Sequence, residues 1–151
     1  AVNYRPSAWR GQSRDEIIAV QREACAHADI VVMNRKESEV VTGIVAADEA
    51  ASEIASYGPS TVVVTGGEAG ATLLSSGTLT HVPARDVEVV YDIGAGDTFH
   101  AGLLAGLLSG MSAEDATRFA SDAAALRISR DATEPSPSFD DVRELDESYR
   151  R

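Results

Sequence analysis

The residues with the clearest chemical potential are consecutive: Gly94-Ala95-Gly96-Asp97-Thr98-Phe99. Three small residues stand between a strand-like run and a helix-like run. That arrangement aims several amide N–H groups at one point, the positive end of a helix dipole. A phosphate is the anion such a turn suits. Asp97 is then out of place, because a carboxylate beside an anion hole repels the anion. It makes sense as a base that takes a proton from a nucleophile attacking phosphorus. It makes equal sense as a first-turn acid that stabilises the helix, and both readings stand at this point. The familiar phosphate loops are absent. Counting G-x-x-x-x-G-K-[ST] from Gly66 puts Ala71 at the second glycine, and G-x-G-x-x-G fails because Phe99 follows Gly94 and Gly96 where the third glycine belongs.

The other chemistry-bearing residues carry less. His27, His81 and His100 are far apart and lack metal-ligand spacing, although His100 lies one turn after Gly96. Trp9 reads as a packing residue. Glu144, Asp146 and Glu147 read as a solvated face, and Cys25 as a small buried thiol.

These residues need elements to hold them. Ser13-Arg14-Asp15-Glu16 is a capping box, so a helix is expected to about residue 28, with Ile17, Val20, Ala24 and Ala28 on one face. Residues 30–33 form a short β-branched run, expected as a buried parallel strand. A short helix over 34–42 would stop at Gly43, and a second over 47–57 at Gly58-Pro59. Thr61–Thr65 is the clearest strand. A turn over 66–70 leads into a hairpin of 71–75 and 78–83 around Ser76-Gly77. One more strand is expected over 87–90. Helices follow over 97–108 and 112–129, then a Pro/Ser/Thr loop over 131–138, then a terminal helix over 139–149. Strands alternating with helices predict an α/β fold with a mainly parallel sheet.

Composition sets the outer limits. The chain has 151 residues, the size of one domain, and is 44% hydrophobic, which is enough for a packed core. Its 24 acidic and 13 basic side chains leave a net charge of −11. Such an acid excess argues against a nucleic-acid partner, which needs a basic face. It leaves phosphate ligands open, because backbone amides bind phosphate without Lys or Arg. No apolar run approaches the roughly 20 residues of a membrane span, so no membrane partner is expected. A single cysteine suits a reducing compartment, and a cytoplasmic location is the expectation.

The run from Val89 to Gly102, centred on Gly94-Ala95-Gly96-Asp97, resembles the C-terminal signature of the PfkB, or ribokinase-like, carbohydrate kinases. Asn34-Arg35-Lys36-Glu37 resembles that family's N-x-x-E element. Residues 62–71 resemble its strand–turn segment. Asn3-Tyr4-Arg5-Pro6-Ser7-Ala8-Trp9 resembles the N-Y-R-P-x-x-W stretch of 2-keto-3-deoxygluconate kinases and some fructokinases. Four elements in family order are far more specific than any one. The resemblance implies a ribokinase-like three-layer α/β/α fold. It also implies that residues 1–151 form the C-terminal, nucleotide-binding and catalytic part of a domain roughly twice this length, without the sugar-binding half and lid.

The resemblance further implies an ATP-dependent kinase that phosphorylates a hydroxyl of a small sugar or sugar acid, 2-keto-3-deoxygluconate first and fructose second. Asp97 would be the general base, with Gly94, Ala95 and Gly96 as the anion hole. Asn34 and Glu37 would act through water on Mg²⁺ and the phosphates. Thr65, Gly67, Gly70, Ala123 and Ala124 would line the nucleotide. Asn3 would bind substrate, and Arg5 would meet either the substrate's acid group or the nucleotide. A homodimer of the complete protein is compatible with the resemblance. The chain alone is expected to lack kinase competence, because the acceptor site is missing.

Two departures matter. Tyr91-Asp92-Ile93 stands where the family reads D-T-x, a run that helps build a monovalent-cation site. Tyr91 cannot copy a carboxylate, so K⁺ does not carry over, unless Asp92 substitutes by a shift of one residue. Ser121 stands where relatives often have Asn. A non-catalytic nucleotide-binding relic is the competing reading. The retained Asp97 speaks against it, since pure binding would gain from losing that repulsive carboxylate.

Overall fold

A computed structural model describes residues 4–146. The chain divides into two compact units. One comprises 4–66 with Thr72–His81, and the other Gly67–Ala71 with 82–146.

In the first unit a 3-10 turn, Pro6–Trp9, precedes α1 (Arg14–Ala26). Ser13 caps α1 as expected: its hydroxyl accepts from the Glu16 amide, and the Glu16 carboxylate accepts from the Ser13 amide. Then come β1 (Ile30–Asn34), α2 (Arg35–Thr42), α3 (Ala47–Ala55), β2 (Thr61–Thr65), β3 (Ala71–Ser75) and β4 (Thr78–Val82). Gly43 ends α2 in the left-handed conformation at φ 78°, a position glycine enters without steric cost. The strands run in the order β1-β2-β3-β4. β1 and β2 are parallel, with Ile30 opposite Thr61 and Asn34 opposite Thr65. β2 and β3 are neighbours joined by a connection far too short for a parallel crossover, so they run antiparallel and the sheet is mixed.

Val31 and Met33 of β1 and Val62 and Val64 of β2 pack with Cys25, Val41, Ala51 and Ile54 of the helices. Val32 and Val63, on the opposite side of the strands, are buried as well. Strands buried on both faces explain the unbroken β-branched runs. Removing Ile54 down to Ala would cost about 2–5 kcal/mol.

The second unit contains α4 (Ala95–Leu108), α5 (Ala113–Ile128) and α6 (Phe139–Arg143). Ser112 and Ser138 cap α5 and α6 by accepting from the Asp115 and Asp141 amides. Helices α4 and α5 approach unusually closely. A β-carbon on Gly102 would sit 2.9 Å from Cα of Ala120, and one on Gly106 would sit 3.0 Å from Cα of Ala116. Phe119, Ala123 and Val142 pack with Met111, Leu126 and Phe139 to close the unit.

Four expectations need correcting. The buried face of α1 is Ile17, Gln21 and Cys25, spaced four apart, while Val20 and Ala24, expected on one face with Ile17, are exposed. Residues 87–90 form no strand; Val89 and Val90 are exposed, and Val90 N–H and Tyr91 N–H both donate to the Ile128 carbonyl of α5. β-branched composition favours extension, but a ladder needs a strand alongside, and here the acceptor is a helix C-terminus. Helix α3 stops at Ala55, two residues early, where the Ser56, Tyr57 and Gly58 amides turn back to α3 carbonyls. Helix α6 ends at Arg143, and the rest of the expected terminal helix beyond 146 lies outside the described residues. Among the described residues no helix is long and apolar enough to cross a membrane.

Candidate functional site

Contacts within its own unit hold the turn at Gly94. Arg85 binds Asp122 of α5 through two hydrogen bonds, Nε to Oδ1 at 2.8 Å and Nη2 to Oδ2 at 2.9 Å. The Val90 and Tyr91 amides anchor to Ile128. The chain then reverses at Gly94, whose φ of 92° is left-handed, and enters α4. No side chain caps α4, and its first intrahelical bond is Thr98 N–H to the Gly94 carbonyl at 2.9 Å. The amides of Ala95, Gly96 and Asp97 precede that bond and are the donors a helix start leaves unsatisfied. Of the three residues expected to form an anion hole, Ala95 and Gly96 lie in this cluster, whereas Gly94 is the N-cap and its carbonyl accepts from Thr98.

Asp97 is exposed on the first turn of α4, and among the described residues no side chain bonds to it. Nothing lies within 4 Å of a β-carbon placed on Gly96, so the space beside that amide is open. His100 donates from Nδ1 to the Gly96 carbonyl at 2.5 Å, which fixes its tautomer because a carbonyl only accepts. Its Nε2 is buried and has no partner among the described residues.

The sequence showed nothing of Arg127. Its side chain is buried, at 9% exposure, and its Nε lies 3.6 Å from the point a β-carbon on Gly94 would occupy. Its guanidinium faces the Tyr91 ring at 5.3 Å. Asp92, the residue considered for the shifted carboxylate, is exposed. The only signal for Arg127 was a basic residue in the last turn of a helix, which suits the dipole and predicts nothing about burial.

The first unit carries the N-x-x-E element. Asn34 caps α2: its Oδ1 accepts from the Glu37 amide at 2.9 Å, and Glu37 Oε2 accepts from the Asn34 amide at 2.9 Å. Glu37 Oε1 accepts from the Tyr4 amide at 3.0 Å. This pair is a capping box, a pattern the sequence displayed without being read that way. Each carboxylate oxygen still has a lone pair for water. Such a carboxylate fits water-mediated contact with Mg²⁺, which keeps several of its waters, better than direct ligation. Among the described residues no group of three His, Cys, Asp or Glu side chains could hold a metal. Thr65 closes β2 opposite Asn34, and its hydroxyl reaches the Met33 carbonyl at 3.5 Å. Arg5 is exposed beside the 3-10 turn. Asn3 lies outside the described residues.

The remaining nucleotide candidates belong to the second unit. Gly67, at φ 63°, has open space where a side chain would be. Gly70, at φ 78°, does not: a β-carbon there would collide with the Val82 carbonyl. Its glycine is required by the chain's own backbone. Ala123 is buried in the α4–α5 seam, 3.2 Å from the β-carbon position of Gly102, whereas Ala124 is half-buried.

Known proteins match this pattern. The pfkB family carbohydrate kinase model matches residues 1–138. A 5-dehydro-2-deoxygluconokinase of Clostridium perfringens is 28% identical over 150 residues, which is 95% of this chain and 44% of that protein. A fructokinase of Klebsiella pneumoniae is 36% identical over 109 residues, 70% of this chain and 34% of its own length. The crystal structure of aminoimidazole riboside kinase from Salmonella enterica, complexed with aminoimidazole riboside and an ATP analogue, superposes with a TM-score of 0.81 at 26% identity, covering 95% of this chain and 50% of that one. The chain spans less than half the length of these curated relatives, and its fold is the ribokinase-like α/β fold. With the family match running over most of its length and the Gly94 turn in place, the chain belongs to the pfkB family of carbohydrate kinases.

Proposed function

We propose that this chain is the C-terminal, phosphoryl-transfer part of an ATP-dependent kinase acting on a hydroxyl of a small sugar or sugar acid. The observation that carries the reading is the Gly94 turn. Uncapped amides of α4 converge where an anion would sit, and an exposed Asp97, with no hydrogen-bond partner among the described residues, stands on the same first turn. Helix α3 also lacks a side-chain cap, so an uncapped start alone says little. What sets α4 apart is the glycine-alanine-glycine entry together with Asp97 on its exposed first turn.

In this reading Asp97 takes the proton from the attacking hydroxyl. The Ala95, Gly96 and Asp97 amides hold the transferred phosphoryl oxygens as negative charge grows on them. Mg²⁺ carried on the nucleotide would supply further charge neutralisation. Asn34 and Glu37 would orient its water, and Thr65, Gly67 and Ala124 would flank the nucleotide. For Gly70 and Ala123 the backbone and helix packing already account for the residue type. Arg5 suits the carboxylate of a sugar acid, since a guanidinium grips a carboxylate at two points. That preference, and the name of the 5-dehydro-2-deoxygluconokinase relatives, favours a keto-deoxy sugar acid over fructose. The lone buried thiol, Cys25, is compatible with a cytoplasmic setting.

The test is Asp97→Asn in the complete protein carrying this segment. The variant should lower kcat by about 10²–10⁴, the range for loss of a general base, and keep ATP binding. Turnover within a few-fold of the parent would remove Asp97 as the base. A parent that binds ATP and phosphorylates no sugar would favour the non-catalytic relic instead.

A further inference from the structure

We infer that Arg127 is a built-in cation of the anion-binding turn: its guanidinium, buried behind Gly94, positions the turn and adds positive charge behind the amides of α4. The inference rests on the phosphoryl-transfer reading of that turn.

Arginine is seldom buried without a paired anion, because removing an unpaired charge from water is costly. Arg127 is 9% exposed, and among the described residues no carboxylate comes within 4 Å of it. Of its five N–H donors, one reaches the Asp131 carbonyl at 3.5 Å, the outer limit of a hydrogen bond. The nearby Asp131 carboxylate is instead turned to Thr133, accepting from its amide at 2.9 Å and its hydroxyl at 2.8 Å. The ring of Tyr91 covers one face of the guanidinium. The Asp131 carboxylate therefore acts on the guanidinium only through space, without a direct ion pair.

Two positive features therefore lie side by side: a helix N-terminus, and a guanidinium that makes no direct ion pair among the described residues. An anion on the turn would compensate both at once. Gly94 makes the approach possible, since its missing side chain lets Arg127 lie close beneath the turn.

The test uses the complete protein with Arg127→Gln, Arg127→Lys and Arg127→Ala, each checked for folding by circular dichroism. Arg127→Gln should lower kcat by about 10-fold to 10²-fold, near the loss of one stabilising donor, while KM for ATP moves by less than about 3-fold. Arg127→Lys should retain more activity than Gln, because charge is kept. Guanidinium chloride at millimolar levels should raise kcat of Arg127→Ala, and sodium chloride at equal ionic strength should not. Equal losses in Lys and Gln with no guanidinium rescue would make Arg127 a structural prop and overturn the inference. So would an unchanged kcat in Arg127→Gln. If Gln and Ala fail to fold, a Lys variant that folds and loses more than about 10² in kcat would also overturn it.

Calorimetric titration of inorganic phosphate separates this inference from the kinase reading. Parent protein binding phosphate at least about 10-fold tighter than Arg127→Gln supports the cation role even in a protein that phosphorylates nothing, which would sink the kinase reading alone. Equal phosphate affinity with turnover intact would sink the cation role alone.

Discussion

Two glycines on α4 should respond to alanine with opposite signs. Gly96 is exposed in the first turn, with normal helical backbone and nothing within 4 Å of a new β-carbon. Alanine there relieves glycine's entropic cost, a gain of up to about 0.5–1 kcal/mol. In a chain of this size that is a rise of about 2–4 °C in Tm. Gly102 is buried, and its β-carbon would lie 2.9 Å from Cα of Ala120. Carbon atoms settle at about 3.5 Å or more, so α4 and α5 must part by about 0.6 Å. Overpacking of that kind costs about 1–3 kcal/mol. Against a similar helix-propensity gain, the net loss is about 1–2 kcal/mol. Urea denaturation followed by circular dichroism reads both variants. Turnover of the complete protein should show the reverse ranking. Gly96→Ala places a methyl group where the phosphoryl oxygens would approach and should cost at least about 10² in kcat, the scale of one lost oxyanion contact. Gly102→Ala should cost less activity per unit of stability lost, because α4 moves by a fraction of an ångström with the turn intact. A Gly96→Ala variant that is more stable and fully active would refute the anion site at this amide. A Gly102→Ala variant as stable as Gly96→Ala would refute the close seam.

Two further outcomes follow from the same unit. Asp122→Ala should destabilise by about 1–3 kcal/mol: below the roughly 3–5 kcal/mol for breaking a fully buried pair, because the Arg85 side chain is 36% exposed. A double-mutant cycle with Arg85→Ala checks it, and a coupling under about 0.5 kcal/mol would show that the pair does not tie residue 85 to α5. Capping hydrogen bonds hold the carboxyls of Glu16, Asp131 and Asp141 below their ordinary values, each chiefly through the backbone amide of Ser13, Thr133 or Ser138. The unfolded chain then binds more protons than the folded one in acid. Their stabilisation is present above the ordinary carboxylate range and is lost as pH falls through the lowered folded values. The urea midpoint should therefore drop below about pH 4.5, and less steeply in a Glu16→Gln, Asp141→Asn double variant, which removes two of the titrating carboxyls. An unchanged slope would assign the acid sensitivity to other groups.

What could be read from the sequence was local. Ser13 and Glu16, three apart, form the capping box their spacing announces. Ser76 and Gly77 both adopt positive φ, as a two-residue hairpin turn requires. Gly94 opens a helix because small residues between a strand-like and a helix-like run leave little else to do. The misreadings that bear on the site were mostly long-range. Residues 87–90 have strand composition, yet their amides find Ile128, nearly forty positions away. Gly70 was assigned to the nucleotide by resemblance, while the neighbour that demands a glycine there is the Val82 backbone. Arg127 is an ordinary residue in sequence and becomes unusual only through what surrounds it. Asn34 and Glu37 show a subtler gap: the family motif and the capping template are the same four positions, so one pattern carried two meanings.

That double meaning bears on how the site is prepared. The features that set the Gly94 turn all lie within the second unit: the Arg85–Asp122 pair, the Val90 and Tyr91 amides on Ile128, and the glycine seam of α4 on α5. None of them uses a ligand. Amides that stabilise developing charge work best when already aimed, because no reorganisation is then needed as the charge appears. Asp97 inherits the same rigidity, being on the first turn of a helix whose far side is clamped at Gly102 and Gly106. In the proposed function, the small-residue character of α4 would thus serve the chemistry indirectly. It lets two helices meet at backbone distance, and this fixes the direction in which one of them begins.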